Sequence, residues 1–106
     1  MKKIYISWKE FNRRCKNVSK EILKNKKIYN LYGICRGGWP AAVRISHLTN
    51  LPITLRPKIN STAIIDDCID SGATQKAFKN FKYFYVLINK QKEGITEWLV
   101  FPWEIK

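Results

Sequence analysis

The sequence has little acidic charge, few cysteines and only one histidine. Among its 106 residues, 8 are Asp or Glu, against 20 Lys and Arg. The three cysteines are Cys15, Cys35 and Cys68, which lie far apart and form no CxxC motif, and the histidine is His47. A structural zinc site needs four ligands at close spacing, so a zinc-stabilised fold is excluded. Unpaired cysteines fit a reducing compartment, and we expect a cytoplasmic protein.

Long apolar runs are also missing. A membrane-spanning helix needs about 20 consecutive apolar residues, and the runs here extend over only a few. The opening residues 1–10 return to charged side chains too soon for the apolar region of a signal peptide. We therefore expect no membrane partner.

The chain contains enough apolar and aromatic residues to form a folded core. Hydrophobic residues make up 45% and aromatic residues 13% of the sequence, a composition that excludes a disordered polyelectrolyte. A chain of 106 residues is well below the length at which a core divides. The composition predicts a single domain over residues 1–106.

The net charge of +12 is concentrated near the start of the chain and favours polyanionic partners. Basic residues recur at helical spacing on one face of a predicted first helix: Lys9, Arg13, Lys16, Lys20, Lys24 and Lys27. The face opposite carries Phe11, Cys15, Val18 and Ile22, as in an amphipathic helix. The basic face is either solvated or binds nucleic acid nonspecifically, and no aromatic residue interleaves it to stack on bases.

Strands and helices are predicted to alternate along the chain. Ser7 and Glu10 have the spacing of a capping box at the start of the first helix. The predicted helices cover residues 8–25, 40–50 and 74–80, and the predicted strands cover residues 28–34, 52–55, 63–67, 83–88 and 98–101. This alternation indicates an α/β fold with a parallel sheet and right-handed crossovers.

Two loops at the carboxyl ends of the predicted strands have the composition of ligand sites. The first is Arg36-Gly37-Gly38, in which glycines let backbone N–H groups approach a phosphate and Arg36 adds a cationic donor. The second is Asp66-Asp67 followed by Asp70-Ser71-Gly72-Ala73-Thr74. Paired carboxylates suit sugar hydroxyls or hydrated Mg²⁺, and the hydroxyls and N–H groups that follow suit a phosphomonoester. The alternatives are a plain strand–helix turn for the first loop and an acidic helix-capping turn for the second.

The second loop, within residues 63–74, resembles the phosphoribosyl pyrophosphate (PRPP) motif of type I phosphoribosyltransferases. Residues 31–38 are similar to the pyrophosphate loop of that family. Residues 5–11 and 98–104 resemble its bacterial and archaeal xanthine/hypoxanthine–guanine branch. The resemblance implies a Rossmann-like parallel-sheet core with a short N-terminal helix and a reduced hood.

The resemblance also implies roles for individual residues. PRPP would be bound by Asp66, Asp67, Asp70, Ser71, Gly72, Ala73 and Thr74. Pyrophosphate would be bound by Cys35, Arg36, Gly37 and Gly38, in a loop that often holds a non-proline cis peptide bond. Magnesium, the implied cofactor, would be held by Asp66 and Asp67. Arg36 and Asp70 would be catalytic, with Asp70 accepting a proton from the base. The purine would be bound by Lys90, Trp98 and Leu99.

The resemblance implies transfer of the phosphoribosyl group from PRPP to an oxo-purine, xanthine, guanine or hypoxanthine, with release of pyrophosphate. One departure concerns the family's long lid between its second and third strands, because here only residues 56–62 are available. Lys58 and Ser61 are the residues of this segment expected to reach a phosphate. The alternative is a non-catalytic PRPP- or nucleotide-binding regulatory module that binds nucleic acid through its basic helix. We also expect a homo-oligomer, either a dimer or a tetramer, because the core is small.

Overall fold

The computed structural model describes residues Lys2–Glu104; Met1, Ile105 and Lys106, the outermost residues of the predicted domain, lie outside the described part. The strands are β1 (Lys3–Tyr5), β2 (Asn30–Gly33), β3 (Thr62–Ile69), β4 (Tyr83–Asn89) and β5 (Trp98–Val100). The helices are α1 (Trp8–Leu23), α2 (Gly38–Thr49), α3 (Ala73–Ala77) and α4 (Lys90–Glu93), followed by a 3-10 turn at Pro102–Glu104. Within Lys2–Glu104, no helix has the length and apolar character needed to cross a bilayer.

All paired strands run parallel, as the alternation of elements predicts. β2, β3 and β4 form a three-stranded sheet with β3 in the centre. β1 and β5 form a separate two-stranded sheet in which Lys3 lies opposite Trp98. The small sheet and the 3-10 turn after it stand apart from the core sheet and correspond to the reduced hood that the resemblance implies.

The helix α1 begins where the capping box predicts and ends two residues earlier than expected. The Glu10 N–H donates a hydrogen bond to Ser7 Oγ at 3.0 Å. The Glu10 carboxylate does not return to the cap but accepts hydrogen bonds from Arg13 and Arg14. With 16 residues, α1 is the longest helix in the described part, not a short one.

The main core lies between the three-stranded sheet and the helices α1 and α2. The predicted inner residues Phe11, Cys15 and Ile22 of α1 are buried, and Val18 packs at the margin. They meet α2 and the sheet through buried side chains that include Leu31, Ala42, Ile45, Ala63 and Ile65. Burial of such side chains is the main favourable term in folding.

Several boundaries differ from the predictions for identifiable reasons. The predicted strand 52–55 is wrong: only Ile53 forms a bridge, to Leu31, because Pro52 has no N–H to extend the ladder. β3 continues to Ile69, since its pairing with β4 extends to Ile69 opposite Asn89. The helix α3 ends at Ala77, where Phe78 turns to pack on Tyr32 at 6.2 Å between ring centroids. β1 and α4 were not predicted.

The segment predicted to be a residual lid is fixed at the opposite edge of the sheet. The Lys58 N–H donates to Thr62 Oγ1 at 2.8 Å, and the Thr62 N–H donates to Lys58 O at 3.0 Å. Ser61 O accepts from the Tyr29 N–H at 2.9 Å. Thr62 is the first residue of β3 and lies roughly 17 Å from Asp67 at about 3.3 Å per residue. The expectation that Lys58 and Ser61 reach a phosphate in the site is therefore wrong for this conformation.

A partly exposed ion-pair network connects α1 to α4. Glu10 binds Arg13 and Arg14, and Arg14 also binds Glu93 at 2.9 Å. The hydrogen bonds from Arg13 lower the pKa of Glu10 to about 2. A carboxyl group with a lowered pKa stabilises the fold above its unfolded pKa, and this contribution is lost as the pH falls through its folded pKa.

We expect Glu10→Gln to lower the free energy of unfolding by about 1 kcal/mol or less at pH 7, the range of exposed ion pairs. The difference from the wild type should shrink between about pH 4.5 and pH 2, where the wild-type carboxylate is protonated. Urea denaturation at pH 7, 4 and 2 measures both effects. Glu21→Gln, which removes an isolated pair with Lys24, is the control and should change stability less. A constant difference at every pH would contradict the assignment.

Candidate functional site

The loop of residues 35–38, which resembles the pyrophosphate loop of the family, packs tightly against β3. Gly38, the first residue of α2, is buried, and an added Cβ there would lie 2.4 Å from Ile65 O. At Gly37, an added Cβ would lie 2.1 Å from Asp67 Oδ2. Only glycine permits these two approaches, which place the turn beside the Asp67 carboxylate.

The remainder of this loop has the features expected of it. The peptide bond between Cys35 and Arg36 is cis, as the family resemblance implies. Arg36 is exposed and forms no ion pair with any residue of Lys2–Glu104. The Trp39 Nε1–H donates to Cys35 Sγ at 2.9 Å, which ties the loop to the first turn of α2.

Asp66 and Asp67 lie inside β3 and not at its end, so their side chains leave the strand on opposite sides. Asp66 is buried, with 8% of its surface exposed, and its Oδ1 accepts the Asp67 N–H at 2.8 Å. Burial and the neighbouring Asp67 carboxylate raise the pKa of Asp66 to about 7. Asp67 is half-buried, and its Oδ1 accepts the Cys68 N–H at 2.7 Å.

The pair offers only oxygen donors, which fits the preference of Mg²⁺ for carboxylates. Asp67 faces the Arg36 side of the site and its Oδ2 is left for a cation, so it fits better than Asp66, which is buried on the opposite side of the strand. Among Lys2–Glu104, no cluster of three or more metal-ligating side chains is present. That Asp66 and Asp67 together hold Mg²⁺ stays a prediction, and of the two it is Asp67 that borders the cavities described below.

The loop of residues 70–74, which the resemblance predicts to bind a phosphate, follows β3. It surrounds a small cavity of about 90 Å³ that is lined by residues 68–75. Ser71 Oγ accepts the Ala73 N–H at 3.3 Å, and Gly72 has a positive φ of 88° that turns the chain into α3. Gln91 Nε2 donates to Asp70 O at 3.1 Å and holds the loop against α4. A cavity of this size fits a single phosphate group.

Lys90 and Asp70 meet at the carboxyl ends of β3 and β4. Lys90 Nζ lies 3.2 Å from Asp70 Oδ1, with 9% of the lysine side chain and 66% of the aspartate side chain exposed. A charged lysine is seldom buried without a partner, and here Asp70 supplies one. Lys90 reaches this position because it is the first residue of α4, directly after β4. The two residues therefore sit together although 20 positions separate them.

The predicted base-binding residues line a second cavity, of about 260 Å³. Lys90, Leu99 and the half-exposed Trp98 all contribute to its wall, together with Asp67 and Asp70. Cys68, Phe101 and Glu104 complete the wall. The volume is near the lower end for ligand pockets and fits a flat aromatic base.

A third cavity, of about 650 Å³, is lined by Arg36, Gly37, Asp67, Trp103 and Glu104. It shares Asp67 and Glu104 with the base-sized cavity, which in turn shares Cys68 and Asp70 with the phosphate-sized one. The three cavities thus follow one another along the carboxyl edge of the core sheet. They bring together the predicted residues Arg36, Gly37, Asp67, Asp70 to Thr74, Lys90, Trp98 and Leu99. Asp66, Cys35 and Gly38 line none of the three cavities: Asp66 and Gly38 are buried, and Cys35 is exposed beside Arg36.

Glu104 was not predicted as a site residue. Its Oε1 accepts the Phe101 N–H at 2.9 Å, which fixes the 3-10 turn after β5 at the mouth of two cavities. The sequence pointed to Glu104 only indirectly, because it is the last of residues 98–104, a segment that resembles the xanthine/hypoxanthine–guanine branch. Cys68, which was not predicted as a site residue either, also lines two of the cavities.

Comparison with solved structures identifies the fold. A purine phosphoribosyltransferase from Pyrococcus horikoshii is 22% identical, covers 100% of this chain and 96% of its own, and gives a TM-score of 0.75. The xanthine-guanine-hypoxanthine phosphoribosyltransferase of Helicobacter pylori is 17% identical over 97% of this chain and 94% of its own, with a TM-score of 0.72. A Neisseria gonorrhoeae protein solved with bound ppGpp is 13% identical over 98% of this chain and 90% of its own, with a TM-score of 0.73. No protein-family model and no curated protein sequence matches the chain.

Substitutions at the two close-packed glycines should have separable effects. We expect Gly38→Ala to lower the melting temperature by several degrees, because the new methyl group meets the backbone of β3. Gly37→Ala meets only the Asp67 side chain, which can rotate away, so its melting temperature should change less while its affinity for PRPP falls. Thermal melts and calorimetric titration of both variants measure the two effects. Equal destabilisation with unchanged ligand affinity would contradict this description.

Asp66 should lower the free energy of unfolding at neutral and alkaline pH, where its buried carboxyl group is ionised. Its folded pKa is above the unfolded value, so the fold loses stability as the pH rises toward about 7 and the buried group ionises. We expect Asp66→Asn to be more stable than the wild type by up to about 4 kcal/mol at pH 8 and equally stable at pH 4. Denaturation in buffer with EDTA measures this without bound metal. An Asp66→Asn protein that is less stable at pH 8 would refute the assignment.

Proposed function

We propose that this chain, which has the type I phosphoribosyltransferase fold, transfers the phosphoribosyl group of PRPP to an oxo-purine and releases pyrophosphate. The observation that carries the proposal is the run of three connected cavities. They fit, in order, a 5-phosphate, a purine base and a pyrophosphate group, and Asp67 and Asp70 lie where the cavities join.

The 5-phosphate of PRPP lies in the loop of residues 70–74, where hydroxyl and N–H donors surround it. The ribose hydroxyls lie over Asp67, with Asp66 holding the backbone beneath. The pyrophosphate occupies the cavity of Arg36 and Gly37. Mg²⁺ held on the Asp67 side of the strand would supply positive charge that neutralises the pyrophosphate.

Bond breaking at C1 of the ribose puts positive charge on the sugar and negative charge on the departing pyrophosphate. Arg36 faces that negative charge with no competing ion pair in the described part of the chain. Donors already positioned for a developing charge commonly make the largest contribution to catalysis. Arg36 therefore acts as the leaving-group stabiliser in this proposal.

The base enters the cavity between Trp98 and the Lys90–Asp70 pair. Lys90 donates to the 6-oxo group and rejects the amino group of adenine, because two donors would face each other. Asp70 is mostly exposed and lies 3.2 Å from Lys90, so it can accept the proton that the purine ring loses when the new bond forms. A positioned base of this kind contributes about 10²–10⁴-fold to the rate.

The first test is pyrophosphate release from PRPP and Mg²⁺ with hypoxanthine, guanine, xanthine or adenine. We expect release with at least one oxo-purine and much less with adenine. Asp70→Asn should lower kcat about 10²–10⁴-fold. Lys90→Met, which keeps the volume and suits a buried position, should reduce the preference for oxo-purines over adenine.

Glu21→Gln is the matched control, because it removes one carboxylate from the exposed face of α1 and should leave the rate unchanged. The proposal fails if no base stimulates pyrophosphate release although the protein is folded. It also fails if Asp70→Asn is as active as the wild type.

A second candidate is a nucleotide receptor without transferase activity. Two observations favour it: the structurally similar Neisseria gonorrhoeae protein was solved with ppGpp bound, and residues 56–61 do not cover this site. Lids exclude water from a reacting centre, so an uncovered site suits binding better than transfer. Because ppGpp is a guanosine that carries two diphosphate groups, it would need one cavity for its base and others for its phosphates, as this site offers.

The same variants separate the two candidates. A receptor would show a higher melting temperature with ppGpp or GMP and no pyrophosphate release with any base. Lys90→Met should weaken that binding, because the purine contact is shared by both candidates. The nucleic-acid role of such a module rests on the exposed Lys9, Lys16, Lys20 and Lys27, since Arg13 and Lys24 are in ion pairs. Affinity for RNA or DNA that falls steeply with salt would support it.

A further inference from the structure

A groove larger than any of the three cavities of the candidate active site lies outside that site, between α1 and α2. Its volume is about 840 Å³, within the range of pockets that enclose a ligand or several side chains. Its apolar wall is formed mainly by Trp8, Trp39, Pro40 and Val43. Trp8 is 60% exposed and Val43 is 42% exposed. Exposed apolar side chains grouped in a cavity are typical of an interaction surface.

The polar side chains of this groove are cationic or neutral. Lys9, Arg44 and His47 line it together with Asn12, and no acidic residue does. Arg44 is half-buried, and its Nε donates to Asn12 Oδ1 at 2.7 Å. Its other guanidinium nitrogens meet no carboxylate within Lys2–Glu104. In contrast, Arg13 and Arg14 on the neighbouring helix α1 both bind glutamates.

A second copy of this chain has almost no carboxylate to offer Arg44. Glu10, Glu21 and Glu93 are in ion pairs on the surface. Asp66, Asp67, Asp70 and Glu104 belong to the candidate active site. Only Glu97 remains, and it accepts hydrogen bonds from Thr96. If two copies met groove to groove, Lys9 and Arg44 of one would also face the same cationic residues of the other and repel them.

We propose that the α1–α2 groove binds an acidic peptide segment of another protein, with an apolar side chain in the groove and a carboxylate on Arg44. The apolar anchor would contact Trp8, Trp39 and Val43, and Lys9 and His47 would add positive charge at the rim. Such a pairing of a buried anchor with a complementary charged rim is the usual anatomy of a protein interface.

The position of the groove gives the partner access to the active-site loop. Trp39 is both a wall of the groove and the donor to Cys35 Sγ, the residue before Arg36. A bound segment would therefore contact the turn that presents Arg36. This inference stands apart from the proposed transferase activity, because binding can be measured without turnover.

The test is selection of displayed random short peptides on the folded wild-type chain. We expect the recovered peptides to contain a leucine or aromatic residue flanked by Asp or Glu. Synthetic versions labelled with a fluorophore then give affinities by fluorescence polarisation. Arg44→Gln should weaken binding about tenfold or more, and Val43→Glu, which puts a like charge in the groove, should abolish it.

Lys20→Gln is the matched control, because it removes one positive charge from α1 outside the groove and should change the affinity less than twofold. Circular dichroism and thermal melts verify that each variant is folded. Recovery of no peptides, recovery of basic ones, or binding unaffected by Arg44→Gln would overturn the proposal. A homodimer that Val43→Glu dissociates, measured by light scattering, would assign the groove to a second copy and also overturn it.

Discussion

The close approach of α2 to β3 is the constraint on which the rest of the site depends. Gly38 lets the first turn of α2 rest on the backbone of Ile65, and Gly37 brings the preceding turn to the Asp67 carboxylate. Without side chains at these two positions, the Arg36 loop and the central strand share one surface. The pyrophosphate-sized cavity exists because these two elements pack at backbone distance.

A buried charge organises the other half of the site. Lys90 would be costly to bury alone, and Asp70 compensates it from the loop of residues 70–74. The pair therefore fixes the start of α4 relative to that loop, together with the hydrogen bond from Gln91 to Asp70. The two residues to which we assign proton transfer and base recognition in the proposed function are thus held by one ion pair in the ligand-free protein.

The sequence allowed prediction of the elements whose signals are local. The capping box located α1, and the run of apolar residues before Asp66 located β3. Features that depend on distant pairing were missed: β1 exists only because β5 lies beside it, and β3 extends because β4 accompanies it to Asn89. The contacts within the site were missed for the same reason. Lys90 and Trp98 could be named from the family resemblance, but the ion pair of Lys90 and the turn held by Glu104 arise from tertiary packing.

The pairing of β1 with β5 joins the two ends of the described chain. Lys3 and Tyr5 lie opposite Trp98 and Val100, and the residues after β5 form the wall of the base-sized cavity. The shape of that cavity thus depends on a strand more than 90 positions away in sequence. Proteolytic trimming or an N-terminal fusion that disturbs the three residues of β1 would alter the shape of this cavity first, while the buried core around β3 would remain intact.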